Sequence, residues 1–227
     1  MNLRIFDTTD DLLTAAARTV MQRVNEGART IALSGGSTPK PLHAMLGASP
    51  WREELAQFPI TWIVVDERYV PLDHPDSNAG SMEKTLFANG ISPSHRFLRF
   101  RTELNDPAAT ARGFEDEWRT LGIQQLDLVL LGMGDDGHTA SLFPGTPVLD
   151  VEDRIAAEVL VPRLDAWRVT LTKPVLRAAA LRLVLATGAK KKPILEAIGD
   201  GADDPIAQVT AGTETWWFVD RDAAPAV

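Results

Sequence analysis

Three short apolar runs in this chain each end abruptly in a loop rich in glycine or charge, and that repeated junction limits how it folds more than any other feature. Thr30 to Leu33 runs into Ser34-Gly35-Gly36-Ser37-Thr38, Ile60 to Val65 into Asp66-Glu67-Arg68, and Leu126 to Leu131 into Gly132-Met133-Gly134-Asp135-Asp136-Gly137-His138. Runs this short and this predominantly apolar read as strands buried on both faces. Helical segments lie between them. An opening strand, Leu3 to Phe6, precedes a helix capped near Thr9, whose Leu12, Leu13, Ala16, Ala17, Val20 and Val24 recur at helical spacing until Gly27 ends it. Pro39 stands where a first helical turn tolerates proline, and Asp106 to Leu121 starts with Pro107 and stops at Gly122. Further strands are expected at Arg168 to Thr172, Leu181 to Ala186 and Thr215 to Val219, with a helix over Ala189 to Ile198. The alternation predicts an α/β fold, a mainly parallel sheet with helices on both faces, formed as one domain over residues 1–227.

Composition narrows the function. With 44% hydrophobic and 24% charged residues the chain carries enough apolar material for a sizeable core. A net charge of −8 argues against nucleic acid as a partner, because phosphate neutralisation needs clustered Lys and Arg. Any anionic ligand must instead meet a local positive pocket. Met1 to Thr9 has no basic start followed by an apolar run, and no stretch approaches the apolar length a bilayer needs, so the expectation is a cytoplasmic protein with no membrane partner. The absence of cysteine excludes disulfides, zinc-thiolate sites and thiol nucleophiles.

In open parallel sheets, ligands bind beyond the carboxyl ends of the strands, so residues 34–38, 66–68 and 132–138 are expected to converge. Ser34 to Thr38 combines glycines, hydroxyls and a helix N-terminus, the ingredients of a phosphate cradle. A plainer reading is a tight strand-to-helix turn capped by Ser37 or Thr38. It is not a nucleotide P-loop, since no Gly-Lys-Ser/Thr follows. Gly132, Gly134 and Gly137 formally satisfy a dinucleotide fingerprint, but Pro144 and Gly145 interrupt the required crossover helix and two aspartates would repel a pyrophosphate. These glycines are better read as shaping a turn that presents His138 at the start of a short helix. Imidazole exchanges protons near neutral pH, and this one follows a strand end directly. His43, His74 and His95 lack such a setting and read as packing or surface residues, with no zinc-type spacing among them.

Two basic features complete the candidate site. Arg68 is placed to offer paired hydrogen bonds to a phosphate or oxyanion, or else to pair with Asp66. Lys190, Lys191 and Lys192 crowd an expected helix N-terminus, where the macrodipole disfavours cations and a bound anion would relieve the conflict; a solvated lysine run is the alternative. Pro71 to Asn78 reads as a loop rimming the site. Trp216 and Trp217 fall in a strand, one facing inward and its neighbour the other way.

Taken in order, Ala32-Leu33-Ser34-Gly35-Gly36-Ser37-Thr38-Pro39, Asp66-Glu67-Arg68 with Asp76-Ser77-Asn78, the block from Gly132 through His138 to Pro144, and Arg168-Val169-Thr170-Leu171-Thr172 closely resemble the 6-phosphogluconolactonases of the glucosamine-6-phosphate isomerase/6-phosphogluconolactonase family. The resemblance implies a Rossmann-like three-layer fold and hydrolysis of 6-phospho-D-glucono-1,5-lactone in the oxidative pentose phosphate pathway, with no cofactor and no metal. It implies that His138 activates water, with Asp66 or Asp136 orienting the imidazole. The phosphate side falls to Gly35, Gly36, Ser37, Thr38, Arg68 and Lys191, with Lys190 and Lys192 each one residue away. Asn78, Gly134 and Arg168 lie in the matching motifs and are assigned to the substrate as well. Backbone N–H groups of the 132–137 turn are expected to stabilise the oxyanion. A monomer or weak homodimer is expected.

Two alternatives are distinguishable by residue. The glucosamine-6-phosphate deaminases carry an acid immediately before the matching proline, where this chain has Phe143, and a tyrosine in place of Arg68. A non-catalytic sugar-phosphate sensor is expected to carry a DNA-binding segment or to lose the proton-transfer residue, whereas this chain keeps His138.

Overall fold

The first helix shows how local rules set the frame. In a computed structural model that describes residues 1–225, strand β1 (Asn2–Phe6) leads into helix α1 (Thr9–Asn25), and the Thr8 side chain caps that helix by accepting from the Asp11 N–H at 3.1 Å. Leu12, Ala16, Ala17, Val20 and Val24 form its buried stripe. Gly27 then takes φ 112°, a left-handed geometry that favours glycine.

The chain continues through β2 (Thr30–Leu33), α2 (Pro39–Leu46), α3 (Trp51–Leu55), β3 (Thr61–Val64), β4 (Asp66–Arg68), α4 (Asn78–Thr85) and β5 (Arg96–Leu98). After these come α5 (Pro107–Thr120), β6 (Leu128–Leu131), β7 (Ala156–Val161), β8 (Ala166–Leu171), α6 (Lys173–Ala178), β9 (Leu181–Ala186), α7 (Lys192–Gly199), α8 (Pro205–Thr210) and β10 (Thr215–Asp220). Asp106 caps α5 through the N–H groups of Ala108 and Ala109 at 2.9 and 3.1 Å.

Seven strands form one sheet in the order β1-β10-β9-β6-β2-β3-β5, every pair parallel. Helices cover it as an α/β three-layer fold. All residues of β6 and β9 are buried, as expected for strands covered on both faces. Buried Arg182 is the exception in β9: its guanidinium donates to the carbonyls of Arg177 and Ala179 at the end of α6 and to Glu214, at 2.6 to 2.8 Å. Charge in the core is thus met by backbone dipoles.

The chain proceeds outward from β2 to β3 and β5, then returns to the other side of β2 at β6. This reversal opens a crevice between the carboxyl ends of β2 and β6. A second sheet, β4-β8-β7, is antiparallel and stands beside it. Val65 joins the two: its N–H donates to Leu33 and its carbonyl accepts from Leu171 N–H at 2.8 Å.

That second sheet corrects two expectations. Asp66-Glu67-Arg68 is a strand rather than a turn, held by pairing with Thr170, Val169 and Arg168. Arg168 to Leu171 is a strand, but of the antiparallel sheet, with Thr172 at the N-cap position of α6, its hydroxyl donating to Arg154 O, instead of continuing it. Strand β7 pairs along the whole of β8, and buried Glu115 of α5 fastens its start by accepting from Ile155 N–H at 2.8 Å. The expected helix over Ala189 to Ile198 begins as a 3-10 turn at Ala189–Lys191 and becomes α-helical only at Lys192. No helix among the described residues is long and apolar enough to cross a membrane.

Candidate active site

At the crevice, β2, β4, β6 and β9 all deliver their following residues to one cleft of about 240 Å³. Its lining includes Gly35, Gly36, Ser37 and Thr38 after β2, Asp66 and Arg68 of β4, Asn78 at the start of α4, Gly134 and His138 after β6, and Lys191 after β9. The three loops expected to converge do so. Asp136 and Arg168 fall outside the lining, one behind the imidazole and the other beside Arg68.

The glycine loop is shaped by close contacts. A side chain at Gly35 would collide with the Asn78 carboxamide, and Gly36 adopts φ 110°. Thr38 Oγ1 lies 2.8 Å from Thr187 Oγ1, tying the loop to the end of β9. Ser34 was not singled out from sequence, although it begins the motif. Its hydroxyl is buried in the cleft wall and has no hydrogen-bond partner among the described residues.

Glu67 holds the next loop together. Buried between sheet and helix, its carboxylate accepts from the N–H groups of Arg68, Asn78 and Ala79 at 2.7 to 2.8 Å and from Ser77 Oγ at 3.1 Å. Burial pushes this carboxyl up despite the three amide donors. The ties close the segment 69–77 into a rim and fix Asn78, whose Nδ2 donates to Asp66 O at 2.7 Å. Arg68 Nη1 donates to Asp76 O at 2.8 Å. Asp66 is engaged elsewhere, accepting from Ser141 Oγ at 2.7 Å. Opposite Arg68 in the strand register stands Arg168, whose guanidinium is lowered by burial and by the neighbouring Arg68 charge.

His138 sits in a turn, and no helix starts at it; the next helical segment is the 3-10 turn Pro147–Asp150. Gly137 takes φ 76°, Thr139 bridges to Leu142, and Ala140 is held at φ 51°, uncommon for a residue with a side chain. The proline at 144 and the short bridge leave no room for the helix expected here. Within the turn, Gly134 N–H donates to His138 O and Gly137 N–H to Gly134 O, so these two amides build the turn and are not open oxyanion donors. Asp136 supports the imidazole: its Oδ1 lies 2.5 Å from His138 Nδ1. Burial alone would raise the Asp136 carboxyl, but the hydrogen bond and charge of His138, with Arg163 behind it, hold it below the usual carboxylate range. Phe143 stacks on the imidazole with centroids 4.2 Å apart.

Among the three lysines, Lys191 is the one that lines the cleft, and its Nζ pairs with Asp135 Oδ1 at 2.5 Å. Lys191 holds the Asp135 carboxyl below its ordinary range. The remaining histidines divide as expected between packing and surface. His43 is buried with neither ring nitrogen bonded among the described residues, His95 takes Trp62 Nε1 and Leu55 O, and His74 is exposed. Trp217 is buried and Trp216 faces outward beneath Arg4. Among the described residues, no group of three or more His, Asp or Glu side chains is arranged to hold a metal ion.

Comparison with known proteins fits this geometry. A 6-phosphogluconolactonase of a Nostoc species is 39% identical over 212 residues, covering 87% of this chain and 84% of its own. The solved 6-phosphogluconolactonase from Trypanosoma cruzi superposes with a TM-score of 0.86 at 26% identity, over 98% of this chain and 95% of that one. A monomeric glucosamine-6-phosphate deaminase superposes with a TM-score of 0.83 at 22% identity over 98% of each chain, a likeness that shows the fold alone. The family model for glucosamine-6-phosphate isomerases/6-phosphogluconolactonase matches residues 7–217, and the chain belongs to that family.

Proposed function

We propose that this protein hydrolyses 6-phospho-D-glucono-1,5-lactone to 6-phospho-D-gluconate, a step of the oxidative pentose phosphate pathway. One observation carries the mechanistic reading: a carboxylate-backed imidazole, Asp136–His138, opens into the same cleft as the glycine loop, Arg68 and Lys191. The phosphate lies against Gly35 to Thr38 with Arg68 and Lys191 supplying charge, and Asn78, Gly134 and Arg168 shape or electrostatically support that side. Lys191 exchanges Asp135 for the incoming phosphate.

With Nδ1 taken by Asp136, Nε2 is the nitrogen that receives a proton from water. The resulting hydroxide-like oxygen bonds to the lactone carbonyl carbon, and the carbonyl oxygen takes up negative charge. Collapse breaks the bond to the ring oxygen, which leaves with the proton held on Nε2. The Gly134 and Gly137 amides are committed to the turn, so the developing charge is met by other donors that line the cleft. Asp66 acts on the other side of the cleft, ordering Ser141 and Asn78 rather than the imidazole. No step calls for a cofactor or metal.

Phe143, stacked on His138 where the deaminases carry an acid, disfavours amino-sugar isomerisation. The working unit is one domain over residues 1–227, cytoplasmic, as a monomer or weak homodimer. Freshly generated lactone disappears faster than its spontaneous hydrolysis when protein is added, while glucosamine 6-phosphate yields no ammonia. Ammonia release without lactone acceleration overturns the proposal.

A further inference from the structure

Asp136 uses only one of its oxygens on His138. The other, Oδ2, lies 2.5 Å from Nη2 of Arg163, which comes from the 3-10 turn Pro162–Leu164 at the tip of the β7–β8 hairpin. The same guanidinium stands 5.0 Å over the ring of Phe143, the ring that stacks on the imidazole. One side chain therefore contacts both supports of His138, the carboxylate on its edge and the aromatic ring on its face. A planar guanidinium serves both roles at once, which a lysine ammonium does less well.

We propose that Arg163 is a positioning residue that tempers the pull of Asp136 on His138 and holds the imidazole ready to accept a proton. It does so by sharing the Asp136 carboxylate and locking Phe143 against the imidazole. The electrostatic sense is simple. A carboxylate bonded to one partner pulls strongly on an imidazolium; the same carboxylate divided between imidazole and guanidinium pulls less, and the guanidinium itself repels a second positive charge.

The proposal rests on the lactonase reading only in taking His138 as the proton-transfer group. Other charged groups surround the cleft that the imidazole lines: Asp135 on its own loop, Asp66 and Arg68 on β4 across the cleft, Lys191 after β9, and Asp204 at the start of α8 beside Gly137, with Arg168 paired to Arg68 in the strand register. These stay in place when Arg163 is changed. Arg163 and Asp136 are 55% and 28% exposed, so solvent screens the effect to a modest size.

The test is the pH profile of kcat/KM for lactone hydrolysis in wild type, Arg163→Met, Arg163→Gln and Arg163→Lys. Met keeps the apolar stem without charge, Gln serves as an independent neutral variant, and Lys restores charge without the planar fork. In Met and Gln variants the acid limb moves up by about half to one pH unit, while the plateau at high pH changes much less. Lys returns the limb most of the way to wild type. A purely structural role would lower thermal stability and leave the limb in place, and that result overturns the proposal, as does a limb moved to lower pH. A second reading does not depend on substrate: the His138 ring proton resonance, followed by NMR in the unliganded protein, shows its titration midpoint moved upward in Arg163→Met. An unmoved midpoint overturns the proposal even if the lactone is not the substrate, whereas an upward move with no lactone hydrolysis sinks the lactonase reading alone.

Discussion

Asp136 Oδ1 engages His138 twice, lying 2.5 Å from its ring Nδ1 and accepting from its backbone N–H at 3.2 Å. The carboxylate thus fixes the ring and the turn that carries it with one atom. Replacing Asp136 by Asn keeps the shape and removes the charge. Turnover of the lactone is expected to fall by about 10- to 1000-fold with little change in KM, since both the orientation of the base and the stabilisation of its protonated form are lost. Steady-state kinetics above the spontaneous background check this, and an unchanged kcat would remove Asp136 from the dyad.

Glu67 makes the analogous prediction for binding. Its buried carboxylate gathers three amide donors and Ser77, and those bonds place Arg68 and Asn78 at the cleft. In Glu67→Gln one oxygen becomes a donor facing donors, at a cost of about 1–3 kcal/mol. A lower melting temperature and a several-fold higher KM are expected, with kcat less affected. A variant whose KM and stability match wild type would show that the rim holds without this residue.

The lysine run separates by position. Lys191 lines the cleft whereas Lys190 is exposed beside it. Lys191→Ala should raise KM by roughly tenfold, about the value of one lost charge-assisted hydrogen bond, and Lys190→Ala should leave it within error. Equal effects from the two would mean a diffuse field rather than a specific contact.

His43 predicts a pH dependence of stability unrelated to catalysis. Burial lowers it from 6.5 to about 4, and neither ring nitrogen has a partner among the described residues. Between those values the unfolded chain takes up a proton that the folded chain refuses, so stability is full above the upper value and falls as pH drops toward the lower. The loss reaches about 3 kcal/mol at most. His43→Leu should flatten this acid limb in urea denaturation while preserving stability near neutral pH. A variant that loses stability equally across the range would assign His43 a bond it does not show.

Much of this architecture was legible because its signals are local. A cap near Thr9, one residue from the observed Thr8, with Gly27, Pro107 and Gly122, marks helix ends through backbone geometry alone, and the all-apolar β6 and the β9 run broken only by Arg182 announce burial on both faces. The cleft was legible for a related reason, since the ends of buried parallel strands must meet on one edge. What stayed hidden depends on distant pairing. Asp66 to Arg68 is three charged residues that become a strand only because β8 lies about a hundred residues further on to receive it. Glu67 looked like part of a turn until three amides were seen around it. Arg163 lies in an unremarkable hairpin, and nothing near it in sequence points to Asp136 or Phe143. The turn before Pro144 is not the short helix its sequence suggests, because Gly137 takes a left-handed geometry and Thr139 bridges to Leu142.

The most direct test of the account is hydrolysis of freshly generated 6-phosphogluconolactone by wild type and His138→Ala, each with and without chelator. Acceleration that survives the chelator and drops by about 10²- to 10⁴-fold in the variant, with KM nearly unchanged, is the predicted result. Wild-type acceleration that persists in His138→Ala, or that vanishes with the chelator, would contradict a mechanism run by this histidine.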